Sequence, residues 1–211
     1  MNPLINRLKR QMHREIAKAQ DVLVETLYGV FPEAVLHGGT ALWRCYQGNR
    51  FSEDLDVYLP KERGKIDLLF EKFKRRGFSI EKKKIGENSL YSRLQLSGVS
   101  VRFEAVFKKN PGHLQEYETA EGNFLTVLTL TPEELVQEKV PTYLKRRKIR
   151  DLYDIFFLLR HVQDREMVKK ALTRLFADFK PPIDEKELAL LILSGLVPTT
   201  KQMLDYLHHW E

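Results

Sequence analysis

Two aspartates, Asp54 and Asp56, stand two residues apart in the stretch LHGGTALWRCYQGNRFSEDLDVYL, which spans residues 36–59. In a β-strand, residues at this spacing project from the same face, so the two carboxylates would lie side by side. Like charges that close repel each other unless a cation lies between them. Because Mg²⁺ and Mn²⁺ prefer oxygen ligands, the pair indicates a divalent-metal site, although a surface strand can carry the same pattern by chance.

A glycine pair, Gly38 and Gly39, precedes the aspartates, between a short apolar run and a short helix that starts near Thr40. A helix start presents free backbone N–H groups and the positive end of the helix dipole, and both favour a phosphate group. Glycine permits a tight turn and the close approach of a ligand. The alternative is an ordinary turn, but the glycine pair followed by the aspartate pair, with Arg50 and Ser52 just before the aspartates, favours a functional site.

Glu104 is a third candidate carboxylate. In VRFEAVF, at residues 101–107, strand alternation places it on the same face as Arg102. An acid between apolar neighbours in mid-strand is unfavourable unless it is paired or bound to a metal ion. Glu104 is therefore either a third metal ligand or an edge-strand charge paired with Arg102 or Arg93.

A second group of charged residues lies in PEELVQEKVPTYLKRRKIRDLYDIFFLL, at residues 132–159. Asp151 and Asp154 stand three residues apart on one predicted helix face, and Lys139 lies in the preceding helix. These residues either contribute to a catalytic site or form an ion-pair network between helices. Placing a carboxylate at the helix N-terminus explains Asp151 well and Asp154 less well.

The pattern of apolar residues predicts the elements that position these side chains. A tetrad that combines a capping box with proline at the first helical position, residues 131–134, starts a series of helices. We therefore expect an α+β fold: a mixed α/β domain over residues 1–130, and a helical domain over residues 131–211. The predicted helices cover about residues 3–29, 40–47, 61–78, 133–147, 150–162, 165–179, 184–194 and 199–210, and the predicted strands cover 34–37, 55–59, 78–85, 89–96, 99–107 and 124–130.

Composition restricts the class of protein. The chain has 211 residues, of which 43% are hydrophobic and 30% charged, as in soluble globular proteins. The single cysteine, Cys45, excludes an internal disulfide. The charged first residues do not resemble a secretory signal, and the longest apolar run is too short for a membrane span. We expect a cytoplasmic protein that does not enter the membrane.

The positive charge is concentrated in two zones. The net charge is +6, residues 61–84 contain ten Lys/Arg and four acids, and residues 139–150 contain six basic residues and no acid. Such zones favour a phosphate-rich partner such as RNA, although most charge runs are solvated helix surface. In the second zone, the residues predicted to contact RNA are Lys145, Arg146, Arg147 and Lys148.

Residues 36–59 resemble the signature of the minimal nucleotidyltransferase fold, in which a hydrophobic residue, Gly-Gly or Gly-Ser, and a spacer precede Asp-x-Asp. With RFSEDLD at 50–56, Lys139 and RDLYD at 150–154, the chain resembles the AbiEii-type toxins of type IV toxin–antitoxin systems over about residues 36–160. The resemblance implies a nucleotidyltransferase-like mixed sheet with flanking helices, and a C-terminal helical bundle that completes the active-site cleft.

The resemblance also implies a role for each motif residue. The nucleotide would contact Gly38, Gly39, Thr40 and Ser52. The metal ions would contact Asp54 and Asp56, with Glu104 in the place of the third carboxylate. The helical domain would contribute Lys139, for the phosphates, and Asp154.

We therefore expect a metal-dependent nucleotidyltransferase that uses Mg²⁺ or Mn²⁺ to move NMP from an NTP to an acceptor. The basic zones favour RNA as the acceptor, in particular the 3′ end of a tRNA, and the resemblance implies a toxin with a cognate antitoxin protein. One alternative is an NTP-binding regulatory module without transfer activity. Another is a phosphotransferase or nucleotidyltransferase that acts on a protein or small molecule.

Overall fold

A computed structural model describes residues 3–210, and the chain divides there into two units. The first, which we call the sheet unit, comprises the chain up to Gln47 together with Phe51–Thr129. The second, the helical unit, comprises Gly48–Arg50 and the chain from Leu130 onward. The sequence predicts the change to helices near residue 131. It does not predict that three residues of the loop before Asp54 group with the helices.

The sheet unit is built on a mixed β-sheet. Within the described residues, its seven strands are ordered β3-β4-β5-β2-β1-β7-β6. β2 pairs in parallel with β5, and β1 in parallel with β7, whereas the other neighbouring strands are antiparallel. The strands are β1 (Val35–His37), β2 (Asp54–Leu59), β3 (Ser79–Ile85), β4 (Ser89–Leu96), β5 (Val99–Phe107), β6 (His113–Glu118) and β7 (Phe124–Thr129). The predicted α+β class is confirmed, and β6 is the strand that the sequence analysis does not identify.

Alternation along the central strand β2 explains how it carries two acids. Leu55 and Val57 are fully buried on one face, whereas Asp54 and Asp56 are partly exposed on the other. The neighbouring strand β5 alternates in the same way, with Val101, Phe103 and Ala105 in the core and Glu104 on the face of the aspartates. The sheet therefore presents its acids together at one surface.

Four helices of the sheet unit are described: α1 (Leu4–Arg7), α2 (Gln11–Tyr28), α3 (Gly38–Cys45) and α4 (Arg63–Arg75). The prediction of one helix over residues 3–29 is wrong, because Leu8 adopts an extended conformation that separates α1 from α2. Leu8 is fully buried there, and its carbonyl oxygen accepts a hydrogen bond from Nε of Arg14 at 2.8 Å. Burial of this side chain and the hydrogen bond from Arg14 offset the free energy of the helical hydrogen bonds that are lost at the break.

A buried ion pair fixes α3, the helix that follows the glycine turn. The guanidinium of Arg44 lies between the rings of Trp43 and Tyr117, 4.7 Å from each centroid, and pairs with Asp21 of α2. Asp21 also accepts hydrogen bonds from the Tyr117 hydroxyl at 3.0 Å and from the backbone N–H of Ala120 at 2.7 Å. Because Asp21 pairs with a terminal nitrogen of Arg44 and both rings flank the guanidinium, α3 is held against α2 and β6.

The helical unit contains α5 (Pro132–Arg146), α6 (Ile149–Leu158), α7 (Arg165–Ala177), α8 (Leu188–Leu191) and α9 (Thr200–Leu207). The predicted capping box at the start of α5 is confirmed, with Thr131 and Glu134 bonded reciprocally. The prediction of a full helix over residues 184–194 is wrong, because only α8, preceded by a 3₁₀ turn, forms there. After Leu191 the chain extends, and Ile192 forms a β-bridge with Arg50. In the stretch from residue 3 to residue 210, no helix has the length and apolar character needed to cross a membrane.

Candidate active site

The turn between β1 and α3 requires glycine at residue 38 for two reasons. Gly38 has a φ of +70°, a backbone conformation that is energetically unfavourable for residues with a side chain. A Cβ atom added to Gly38 would also lie 3.1 Å from Cγ of Asp56, so the carboxylate occupies the space beside the glycine. Gly39 is buried and Gly38 is partly exposed. The turn therefore brings bare backbone directly against one of the two predicted metal ligands.

Buried hydrogen bonds connect Thr40 and Ser52 to the same loop. The Thr40 hydroxyl donates to the backbone oxygen of Asp54, and Nε2 of Gln20 donates to the backbone oxygen of Ser52 at 3.0 Å. The Gln20 amide also lies 3.5 Å from Oγ1 of Thr40. Since the Thr40 side chain is fully buried and holds the aspartate strand, its available contribution to a nucleotide is its backbone N–H.

Asp54 and Asp56 have different neighbours across the β2–β5 pair. In the register, Asp54 lies opposite Arg102, and Asp56 lies opposite Glu104. Nε of Arg102 donates to Oδ1 of Asp54 at 2.6 Å, and its terminal N–H group donates to the second carboxylate oxygen. Asp54 is therefore neutralised by a two-pronged ion pair, whereas Glu104 does not receive these bonds.

Burial is the main cause that raises the pKa of Glu104 above its ordinary value. The negative charges of Asp56 and Asp54 raise this pKa further, and the positive charge of Arg102 lowers it. At Glu104, the negative charges of Asp56 and Asp54 therefore exceed the positive charge of Arg102. Such an excess is what a bound cation would relieve.

The three carboxylates fit a divalent cation in the type of their donor atoms. Asp54, Asp56 and Glu104 offer only oxygen ligands, the set that Mg²⁺ and Mn²⁺ prefer. In the structure, no group of three His, Cys, Asp or Glu side chains among residues 3–210 is gathered closely enough to hold a metal ion. Arg102 engages the carboxylate of Asp54 instead, so the acids are adjacent but not assembled around one point.

In the helical unit, Lys139 and Asp154 belong to a buried ion-pair network. Nζ of Lys139 lies 2.6 Å from Asp154 and 3.4 Å from Asp151. Arg50 donates two hydrogen bonds to Asp154, at 2.6 and 2.7 Å. Arg146 donates two to Asp151, at 2.5 and 2.7 Å. The network links α5 to α6, as the ion-pair alternative expects, and the catalytic roles of Lys139 and Asp154 stay predictions.

The network keeps Asp154 ionised although its side chain is fully buried. Burial alone would raise the pKa of Asp154, but the charges and hydrogen bonds of Arg50 and Lys139 outweigh burial, and the pKa lies below its ordinary value. A buried carboxylate with two cationic partners is a stable arrangement, and removing it would leave Asp151 as the one remaining carboxylate of the network for three cations.

The four basic residues predicted to contact RNA have different surroundings. Lys145 is exposed, whereas Arg146 holds Asp151. Arg147, which has a φ of +53°, donates to the backbone oxygen of Pro181, and Lys148 lies 3.2 Å from Asp184. Arg146 therefore has a clear structural role, and the other three stay candidates for RNA contact.

Three residues with a role at these sites are not identified as such from the sequence. Gln20 lies on a helix face with no distinctive pattern, and nothing in the sequence indicates its contact with the loop 20 to 32 residues away. Arg102 is recognisable as a neighbour of Glu104, but its pairing with Asp54 depends on the register between β2 and β5. Arg50 lies in a noted motif, but its partner Asp154 is 104 residues away.

Comparisons with known proteins agree with this architecture. A family model described as nucleotidyl transferase AbiEii toxin, type IV TA system, matches residues 21–197. MenT4, a nucleotidyltransferase toxin from Mycobacterium tuberculosis H37Rv, is similar in structure with a TM-score of 0.67 and 20% identity, over 95% of this chain and 84% of that chain. JHP933 from Helicobacter pylori has a TM-score of 0.65 and 19% identity, over 95% and 90% of the two chains. At these identities the likeness concerns the fold. No curated protein matches the chain significantly in sequence.

The double requirement at Gly38 is testable by comparison with Gly98. Gly98 also has positive φ, +82°, but a Cβ atom there would meet no atom within 4 Å. We expect Gly98→Ala to lower the free energy of unfolding by about 1–2 kcal/mol, the cost of the backbone conformation alone. Gly38→Ala should cost about 1 kcal/mol more, because Asp56 must leave its preferred rotamer. Urea denaturation measures both values, and equal losses would contradict the proposed contact with Asp56.

The ion pairs of Asp154 predict a pH dependence of stability. Since the folded-state pKa lies below the unfolded value of about 3.9, the stabilisation is complete above that value and is lost as pH falls through the folded pKa. Asp154→Asn should cost about 3–5 kcal/mol at pH 7, because Arg50 and Lys139 lose the buried carboxylate that they share. The difference between wild type and variant in unfolding free energy should shrink towards pH 3. A difference that does not change with pH would contradict an ionised Asp154.

Proposed function

Because the chain belongs to the family of nucleotidyl transferase AbiEii toxins of type IV toxin–antitoxin systems, we propose that it moves NMP from an NTP to the 3′ end of a tRNA. The protein is a nucleotidyltransferase. Membership of the family implies a nucleotide substrate and an antitoxin partner. The observation that carries the proposal is the contact of the glycine turn with Asp56, beside Asp54 on the central strand.

In the proposed reaction, a hydroxyl oxygen of the acceptor attacks the α-phosphorus of the NTP. A new P–O bond forms as the bond between the α-phosphorus and the oxygen that bridges to the β-phosphate breaks. Pyrophosphate leaves with the electron pair, and the hydroxyl proton passes to solvent. Asp54, Asp56 and Glu104 would hold divalent cations, Mg²⁺ or Mn²⁺, which when bound lower the pKa of the attacking hydroxyl and neutralise the leaving group. The protein residues contribute position and charge, which this class of reaction chiefly requires.

The triphosphate would bind at the start of α3. Backbone N–H groups of Gly38, Gly39 and Thr40 stand there at the positive end of the helix dipole. Asp21 and Arg44 hold this helix in place, and the hydrogen bonds of Gln20 and Thr40 hold the following loop, near Ser52. The phosphate site would therefore be rigid before the nucleotide binds, which reduces the entropy lost on binding.

Two features favour an RNA acceptor. In the sheet unit, α4 and the edge strand β3 expose basic residues of the first zone, including Lys74, Arg75 and Lys84. In the helical unit, Lys145 is exposed in the second zone. Basic surface of this kind attracts a phosphate backbone, a contribution that is absent for an uncharged small molecule.

The transfer assay is the direct test of the proposal. Protein, divalent metal and each NTP labelled at the α-phosphate would be incubated with total tRNA. We expect label on RNA, and Asp56→Asn should reduce its rate by more than about 100-fold, since even outer partners of metal ligands contribute 10- to 100-fold. The fold should survive, because the substitution relieves repulsion between neighbouring carboxylates.

Asp67→Asn is the matched control, because the Asp67 side chain is 69% exposed on α4, where it pairs with Lys83. It should leave the rate nearly unchanged. Label on a protein or small molecule instead of RNA would favour the other transferase alternative. Tight NTP binding without any transfer would favour the regulatory module. Near-normal turnover by Asp56→Asn would refute the metal assignment.

The basic residues of the second zone predict a separation of RNA binding from turnover. Neutralising Lys145, Arg147 and Lys148 to Gln should raise the KM for RNA and flatten its salt dependence, because each lost phosphate contact removes about 0.7–0.9 from the slope of log K against log salt. Arg146 is left in place because it holds Asp151. Turnover at saturating RNA should stay within about twofold of wild type. The control variant neutralises three basic residues of α7, at positions 169, 170 and 174.

Lys139 has a different predicted role, contact with the phosphates of the nucleotide. Lys139→Met keeps an apolar stem beside Val140 and removes the charge, so it should lower turnover even at saturating RNA. The remaining pair of Arg50 with Asp154 should keep the variant folded, which thermal unfolding checks. An effect confined to the KM for RNA would contradict this assignment.

A further inference from the structure

Arg102 forms a bidentate ion pair with the Asp54 carboxylate. Two N–H groups of the guanidinium donate to the two carboxylate oxygens, with Nε at 2.6 Å from Oδ1. This bidentate ion pair uses both oxygens of Asp54 at once, and bidentate pairs are stronger than single hydrogen bonds. A cation that is part of the protein therefore occupies the ligand atoms that a metal ion would use.

The partners are only partly buried, which makes the pair breakable. The Asp54 side chain is 18% exposed and that of Arg102 is 37% exposed. The Arg50–Asp154 pair has the same two-pronged form, but its side chains are 4% and 0% exposed. Since water competes more effectively at the exposed pair, Arg102 can leave Asp54 at small cost, whereas Arg50 cannot leave Asp154.

The β2–β5 register explains why Arg102 selects Asp54. Arg102 lies directly opposite Asp54, and Glu104 lies opposite Asp56, so each pair of neighbours is fixed by the backbone. On its other side, Arg102 lies opposite Arg93 of β4, a like charge that favours a turn towards the carboxylate. The arrangement therefore follows from strand pairing and does not require a ligand.

We propose that Arg102 is an internal competitor of the divalent cation, which holds Asp54 in the nucleotide-free protein and releases it when metal and nucleotide arrive together. Without nucleotide, a metal ion must displace the guanidinium and binds weakly. An NTP brings four negative charges, which give the released guanidinium another partner and the metal ion further ligands. Metal binding and nucleotide binding are then positively linked through one side chain.

This inference rests on the proposed function, because it takes Asp54 as a metal ligand. The linkage is reciprocal: nucleotide increases metal affinity by the same factor by which metal increases nucleotide affinity. Removing Arg102 should raise the affinity for metal alone and reduce the further gain that nucleotide provides. Both quantities are equilibrium measurements and are independent of turnover.

The experiment measures binding of Mn²⁺ alone by electron paramagnetic resonance, with the full chain and no nucleotide. We expect Arg102→Gln to lower the Kd for Mn²⁺ by about three- to tenfold, the range for a partly exposed charge-assisted pair. Arg102→Lys keeps the positive charge but cannot form the bidentate pair, so it should give an intermediate Kd. A titration with a non-hydrolysable NTP analogue present should then show a larger gain in Mn²⁺ affinity for wild type than for Arg102→Gln.

Arg93→Gln is the matched control, because it removes the same charge from the exposed neighbour directly opposite Arg102. It should change the Kd for Mn²⁺ far less than Arg102→Gln does. Equal effects would show that loss of any nearby positive charge has the same result, and would overturn the proposal. If Mn²⁺ binds with a Kd that Asp54→Asn weakens but Arg102→Gln does not change, the competitor role fails and the metal site stands. If neither wild type nor Arg102→Gln binds Mn²⁺ with or without the analogue, the metal assignment fails as well.

Discussion

The close approach of Asp56 to Gly38 is the constraint from which the rest of the sheet unit follows. The carboxylate lies where a side chain at residue 38 would be, so the turn and the central strand cannot change independently. β2 must lie beside β1, with Asp56 opposite His37, for this contact to exist. The flanking interactions, Asp21 with Arg44 and Thr40 with the backbone of Asp54, hold the two elements in that relation.

The two groups of carboxylates differ in their exposure and in their charged partners. In the sheet unit, Arg102 pairs with Asp54 at a partly exposed surface, and the charges of Asp54 and Asp56 raise the pKa of Glu104. In the helical unit, Asp151 and Asp154 are fully buried among three cations, so the excess is positive. Buried ion pairs stabilise one arrangement, whereas partly exposed ion pairs can exchange partners. The first group is therefore the more accessible to a ligand, whereas the second links α5 to α6.

Local patterns in the sequence predict much of the fold and the residue types of the candidate site. Alternation in β2 and β5 identifies the faces of Asp54, Asp56 and Glu104, and the capping box identifies the start of α5. Long-range pairing is what local patterns do not contain. The partner of Arg102 depends on strand register, and the extended conformation of Leu8 depends on tertiary burial, which outweighs the helical pattern around it.

The grouping of Gly48–Arg50 with the helices means that neither unit is a continuous stretch of chain. The polypeptide passes from one unit to the other at three peptide junctions, 47–48, 50–51 and 129–130. A fragment that ends at residue 129 would therefore keep Arg50, and a fragment that begins at residue 130 would keep Asp154. The first fragment would carry Arg50 without this buried carboxylate, and the second would carry Asp154 with Lys139 but without Arg50. A cut at this junction would therefore divide the helical unit itself.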